Sequence, residues 1–124
     1  MITILTMLET GFDNSYEHNT FQQLKGAWGS KLISIPHDYD TFQEGLDAAV
    51  GTKVFMMRPG RYAGSTKFEE WSKPDGDLVF CFGSPVESLI SFIKEGDTAL
   101  HITTPFDADM MAVCVAGIVM YVHE

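Results

Sequence analysis

An α/β fold with a mostly parallel sheet flanked by helices, built as one domain over residues 1–124, is what this sequence predicts. Three observations carry that expectation. Short β-rich runs alternate with amphipathic stretches from end to end. After its opening aspartate, the segment 77–82 (DLVFCF) is apolar throughout, the pattern of a strand covered on both faces. Apolar residues are 45% of the chain and aromatics 12%, enough for a core and too many for a disordered chain.

The elements follow in order. Residues 2–7 (ITILTM) form a β-rich run. Over 16–28, Phe21, Leu24 and Trp28 recur at helical spacing. Residues 31–35 read as a strand stopped by Pro36, with Asp38 and Asp40 placed to cap the next helix. Over 41–50, Phe42, Leu46, Ala49 and Val50 share one helical face, and Gly51 ends it. Residues 53–57 are a third strand. The stretch 58–75 is the least regular, with two glycines, two prolines and both arginines of the protein. The strand 77–82 comes next, then a helix over 85–94 with Pro85 near its start, then a last strand over 98–102. A closing helix spans 107–122, with Asp107 and Asp109 in its first turn.

Charge and cysteines narrow the function. Eight Lys and Arg against seventeen Asp and Glu give −9, which excludes a protein whose whole surface clamps nucleic acid but leaves room for a local basic site. No apolar run approaches the roughly 20 residues of a membrane span, and the start of the chain lacks the basic region of a signal peptide. A cytoplasmic protein without membrane contact is expected, with Cys81 and Cys114 as buried reduced thiols.

Parallel sheets bind ligands outside the carboxyl ends of their strands. Those ends fall at 7–11, 57–64, 82–86 and 102–107. Arg58 and Arg61 follow the third strand, where two planar donor forks suit phosphate or carboxylate. The same pair also reads as surface charge matched by acidic neighbours. Gly83-Ser84 lies between a buried strand and a helix, where backbone N–H groups can hold a ligand. His18, His37, His101 and His123 show no metal-ligand spacing with the cysteines, so no metal site is expected; His101, at a strand end, carries a small functional interest. The closing helix is apolar almost all round, and a domain this small has little interior to hide it. A second copy would cover it, making a homodimer through Met111, Val115, Ile118 and Val119 or their helical neighbours.

The last third of the chain resembles the SpoU branch of the SPOUT superfamily of RNA methyltransferases. That branch has a strand ending in a pattern like LVFGxExxGL, then a short strand, IPM, SLNVxxA and a closing apolar helix. Here Leu78-Val79-Phe80-Cys81-Phe82-Gly83 precedes Ser88-Leu89, then Ile102-Thr103-Thr104, then Met110-Met111-Ala112-Val113-Cys114-Val115-Ala116. The spacing from Ile102 to Ala112 matches that from the family's Ile to its Asn. Gly29, the 31–35 strand and Pro36 fall in register with the family's opening elements. Gln23 stands where the branch has its catalytic Arg, Pro85 where it has Glu, Thr103 where it has Pro, Met110 where it has Ser, and Ala112 where it has Asn.

The resemblance implies a sheet closed by a C-terminal trefoil knot and a cofactor, S-adenosylmethionine, held largely by backbone. Its site would be Met57, Phe82, Gly83, Ser84, Ile102, Thr103, Thr104, Pro105 and Met111, with Arg58 and Arg61 handling an RNA substrate. Ribose 2′-O-methylation of tRNA or rRNA is the implied reaction. The replaced polar residues and the net charge leave two other readings. One is a catalytically degenerate relative that binds a nucleotide-like ligand or a protein partner. The other is a flavodoxin-like domain.

Overall fold

The computed structural model describes residues 1–8, 14–84, 88–105 and 110–123. Its strands are β1 (Ile2–Met7), β2 (Lys31–Ile35), β3 (Thr52–Met57), β4 (Thr66–Lys67), β5 (Leu78–Phe82) and β6 (Thr98–His101). Its helices are α1 (Ser15–Trp28), α2 (Phe42–Ala48) and α3 (Ala112–His123). All six strands run parallel in one sheet, in the order β2-β1-β5-β3-β6-β4.

Alternation along the strands sorts the core into two layers. Ile2, Ile4, Val54, Met56, Leu78, Phe80, Phe82 and Leu100 face α1 and α3, where Phe21, Ala116, Val119 and Met120 meet them. Leu5, Met7, Phe55, Val79, Cys81 and Ala99 face the other way, toward Phe42 and Leu46 of α2 and Leu89 of the segment after β5. The register holds these sets together: Phe80 pairs with Ile4 on one side and Val54 on the other. Every residue of β5 is buried, as the unbroken apolar run requires.

Setting the two-residue β4 aside, the five longer strands run second, first, fourth, third, fifth. A flavodoxin-like sheet has its third strand beside its first. Here β5 occupies that place, so the flavodoxin-like alternative does not describe this sheet. At the amino end, Gly51 adopts φ +136° where a Cβ would lie 2.6 Å from the carbonyl oxygen of Asp77. That close approach lets the Thr52 N–H donate to Asp77 at 2.9 Å and start β3 alongside β5.

Several local expectations are corrected. The helix expected over 85–94 is a single 3-10 turn, Ile90–Phe92; residues 85–87 lie outside the described residues. The Ser88 hydroxyl accepts from the Ile90 N–H, and the Asp97 carboxylate accepts from the Lys94 N–H. Such side-chain bonds compete with helix formation, and too few residues stand between them to offset the cost of nucleation. The cap of α2 is Thr41, whose hydroxyl accepts from the Glu44 N–H, rather than Asp38 or Asp40. Asp38 instead accepts from the Ser34 N–H at 2.7 Å. The closing helix begins at Ala112 among the described residues, and Asp107 and Asp109 lie outside them. Cys81 is buried, but Cys114 is exposed, because it falls on the face of α3 turned from the sheet. Among the described residues no helix is long and apolar enough to cross a membrane.

The end of α3 is fixed by aromatic packing. His123 meets Phe68 and Trp71 edge-on, with ring centroids 5.1 and 5.3 Å away, and lies nearly parallel to Phe80. Its Nε2 is buried without a hydrogen-bond partner. Burial, and then the charge of Lys73, lower its pKa from the ordinary 6.5. The imidazole is therefore held neutral in the fold, while the unfolded chain protonates it more readily. Stability is full above pH 6.5 and falls as pH drops from there through the lowered folded value. Urea midpoints measured from pH 7.5 to 5 should decline on the acid side, and His123→Phe should flatten that decline.

Candidate functional site

The carboxyl ends of β3, β5 and β6 surround a cavity of about 660 Å³, within the range of small-molecule sites. Three strand ends supply Met57 and Arg58, Phe82 to Ser84, and Ile102. Met110, Met111, Ala112 and Val115 close it from the start of α3. Leu89 and Ile90 of the 3-10 segment add apolar wall, and Glu17 enters from the first turn of α1. Among the described residues, thioethers and aliphatic groups form most of this lining, with a few polar groups among them: one carboxylate, two guanidinium groups and the hydroxyls of Ser84 and Ser88.

Parallel topology explains the convergence. Each strand delivers the chain to the same edge before the return segment begins. Ile102 follows β6 on the face shared with Leu100 and packs against the layer that holds α3. Thr103, Thr104 and Pro105 do not line the cavity. Thr103 and Pro105 are exposed and Thr104 is half-buried, because the chain leaves the sheet after Ile102. Of the residues expected from sequence, Met57, Arg58, Arg61, Phe82, Gly83, Ser84, Ile102 and Met111 are brought together and those three are not. Glu17, Met110 and the Leu89–Ile90 pair were missed. Glu17 was recoverable in principle, since α1 follows β1 and its first turn lies at the same edge.

The arginine segment is a folded loop. Arg61 N–H donates to the Arg58 carbonyl at 3.2 Å, and Ser65 N–H donates to the Tyr62 carbonyl at 3.1 Å. Tyr62 packs on the α2 side of the core. Ser65 Oγ lies 2.7 Å from His101 Nδ1, a hydrogen bond that fastens the end of the loop to β6 just before Thr66 and Lys67 pair with that strand. His101 thus ties down the loop that presents the arginines and does not line the cavity itself.

The other expected groups lie elsewhere. Gln23 lines a shallow groove between α1 and α3, with Thr20, Leu24, Ala27, Val113 and Cys114. His18 and His37 stack with ring centroids 3.9 Å apart. His18 Nδ1 is bonded to Ser34 and His37 Nε2 to Asn14. Burial first, and then the charge of His37, lower the pKa of His18 against the opposing pull of Asp38. Among the described residues no group of three or more His, Cys, Asp or Glu is placed to hold a metal ion.

No family model and no curated protein matches the chain. What the site can do is therefore read from its own chemistry. An apolar enclosure with two cations at its mouth suits a ligand with a flat or aliphatic body and an anionic end, or two ligands that meet there.

The loop fastening is open to a direct measurement. Removing one side-chain hydrogen bond costs about 0.5–1.5 kcal/mol, so Ser65→Ala should raise the open population of the loop about 2- to 10-fold. Arg58 precedes Pro59, so Arg61 is the susceptible bond. Trypsin should cut after Arg61 faster by that factor in the variant.

Proposed function

We propose that the protein is a SPOUT-type methyltransferase that moves the methyl group of S-adenosylmethionine to RNA, with a ribose 2′-oxygen of tRNA or rRNA as acceptor. Support comes from one observation above all. The cavity lies at the three strand ends, after β3, β5 and β6, that the sequence resemblance selects for the cofactor. The all-parallel sheet is compatible with that fold. A trefoil knot belongs to the same proposal. The thioether-rich lining suits an adenosyl group with its aliphatic tail. Displacement at a sulfonium methyl needs chiefly alignment of the acceptor, and an enclosed cavity beside two guanidinium groups suits that. Arg58 and Arg61, at the cavity and on an exposed loop, are suited to the substrate phosphate.

The net charge of −9 makes RNA affinity weak and strongly salt-dependent. The same charge, with Gln23 outside the cavity, favours as second reading a relative that keeps the ligand and has lost the transfer. Calorimetry with S-adenosylmethionine and S-adenosylhomocysteine, followed by transfer of labelled methyl to total RNA, separates them. Binding with transfer supports the enzyme; binding alone supports the second reading; no binding sinks both. In the enzyme, replacing Arg58 and Arg61 together with Ala should abolish transfer and leave cofactor affinity within about twofold, because the change removes two exposed guanidinium groups and leaves the thioether and aliphatic lining in place.

A homodimer through α3 is part of the proposal. Val119 is corrected from the expected interface: it is 1% exposed and packs inside the monomer, with Ala116 and Met120. Val115 is half-buried at the cavity. The outward face carries the expected Met111 at 60% and Ile118 at 37% exposure, together with Tyr121 at 79% and Val122 at 56%. Contiguous apolar side chains of this kind mark contact surfaces. Light scattering at micromolar concentration should give twice the chain mass. Ile118→Glu should halve it and leave far-UV circular dichroism unchanged, since that side chain is outside the core.

A further inference from the structure

We infer that Glu17 is the general base of the transfer, taking the proton of the acceptor hydroxyl as its oxygen attacks the sulfonium methyl. This rests on the methyltransferase reading and supplies the proton acceptor which that reading lacks. Among the described residues that line the cavity, three carry an ionisable side chain: Glu17, Arg58 and Arg61. A guanidinium keeps its proton throughout the accessible pH range. The hydroxyls of Ser84 and Ser88 are no stronger as bases than the acceptor hydroxyl itself, and thioethers hold no proton in water. Of these groups, the carboxylate of Glu17 is the one that can take up the proton.

Placement agrees with chemistry. Gln23, at the position where the resemblance puts a catalytic arginine, lines the groove between α1 and α3, and an amide has no basic site. Glu17 is six residues earlier on the same helix, nearly two turns toward the edge where the strands end. It enters from α1, whereas the two guanidinium groups come from the loop after β3. An acceptor whose phosphate is held by the arginines is thus approached by the carboxylate from a different element.

The step balances within the two reactants. The acceptor O–H bond breaks, and its proton passes to the Glu17 carboxylate. The oxygen forms a bond to the methyl carbon, and the carbon–sulfur bond breaks. Its electron pair stays on sulfur, so the sulfonium becomes a neutral thioether. A carboxylate in the first turn of a helix also complements the helix dipole, a structural role that involves no proton transfer.

The experiment uses the full chain, labelled S-adenosylmethionine and total RNA. Glu17→Gln should lower kcat by about 10²- to 10⁴-fold, with cofactor affinity by calorimetry within twofold of wild type. The acid limb of the wild-type pH–rate profile should disappear in that variant, and Glu17→Asp should retain the limb with a reduced rate. A Glu17→Gln protein that transfers at the wild-type rate, or one that loses cofactor binding instead of turnover, overturns the assignment. So does a wild-type profile that stays flat through the acid range, which needs no variant at all. Wild-type protein that binds cofactor and transfers nothing removes the methyltransferase reading, and the base with it.

Discussion

Burial of β5 between β1 and β3 is the constraint on which the rest of the molecule depends. Its five residues hydrogen-bond on both edges and pack on both faces, so the strand has no contact with water from which to compensate an error. Phe80 and Phe82 form the floor under α1 and α3; Val79 and Cys81 form the floor under α2. The strand therefore fixes the spacing of both helical layers at once. It also ends at Phe82, between the ends of its neighbours, and so sets where the cavity opens.

The cavity inherits its character from that arrangement. Side chains that leave a buried parallel sheet are apolar until the last residue, so the floor of the site is made of Met56, Met57, Phe82 and Ile102. Among the described residues, the ionisable groups arrive from outside the sheet: arginines from the loop after β3 and a carboxylate from α1. Division of labour between an apolar floor and polar groups carried on connections is common to α/β sites. Here the connection with the arginines is itself held by Tyr62 in the core and by the bond between Ser65 and His101.

Much of this was legible in the chain. The five longer strands and the two helices that follow β1 and β2 fall within a few residues of their sequence positions, because their apolar periodicity is strong. Strand order was not legible, since propensity and spacing say nothing about which neighbour β5 takes. The 85–94 segment was misread because a proline suits the start of a helix, while Ser88 and Asp97 compete for the backbone. The site was read through its strand ends, which are local features. Glu17 escaped because the apolar spacing that marks α1 does not single out which polar residue of its first turn reaches the cavity. Thr103 to Pro105 were included because the family resemblance puts a cofactor loop there, whereas the chain leaves the cavity after Ile102.

The contrast between the two cysteines gives the molecule a reporter of its own. Burial raises the thiol pKa of Cys81 to about 12, so almost none of it is thiolate near neutral pH and it is closed to reagents. Cys114 is exposed in the groove between α1 and α3, beside the apolar face of the closing helix. A maleimide dye or a spin label added to the native chain would therefore go to one place, without mutagenesis. That place lies on the surface whose covering by a second copy is at issue, so the label's mobility would sense association, while the silence of Cys81 would certify that the sheet stays closed.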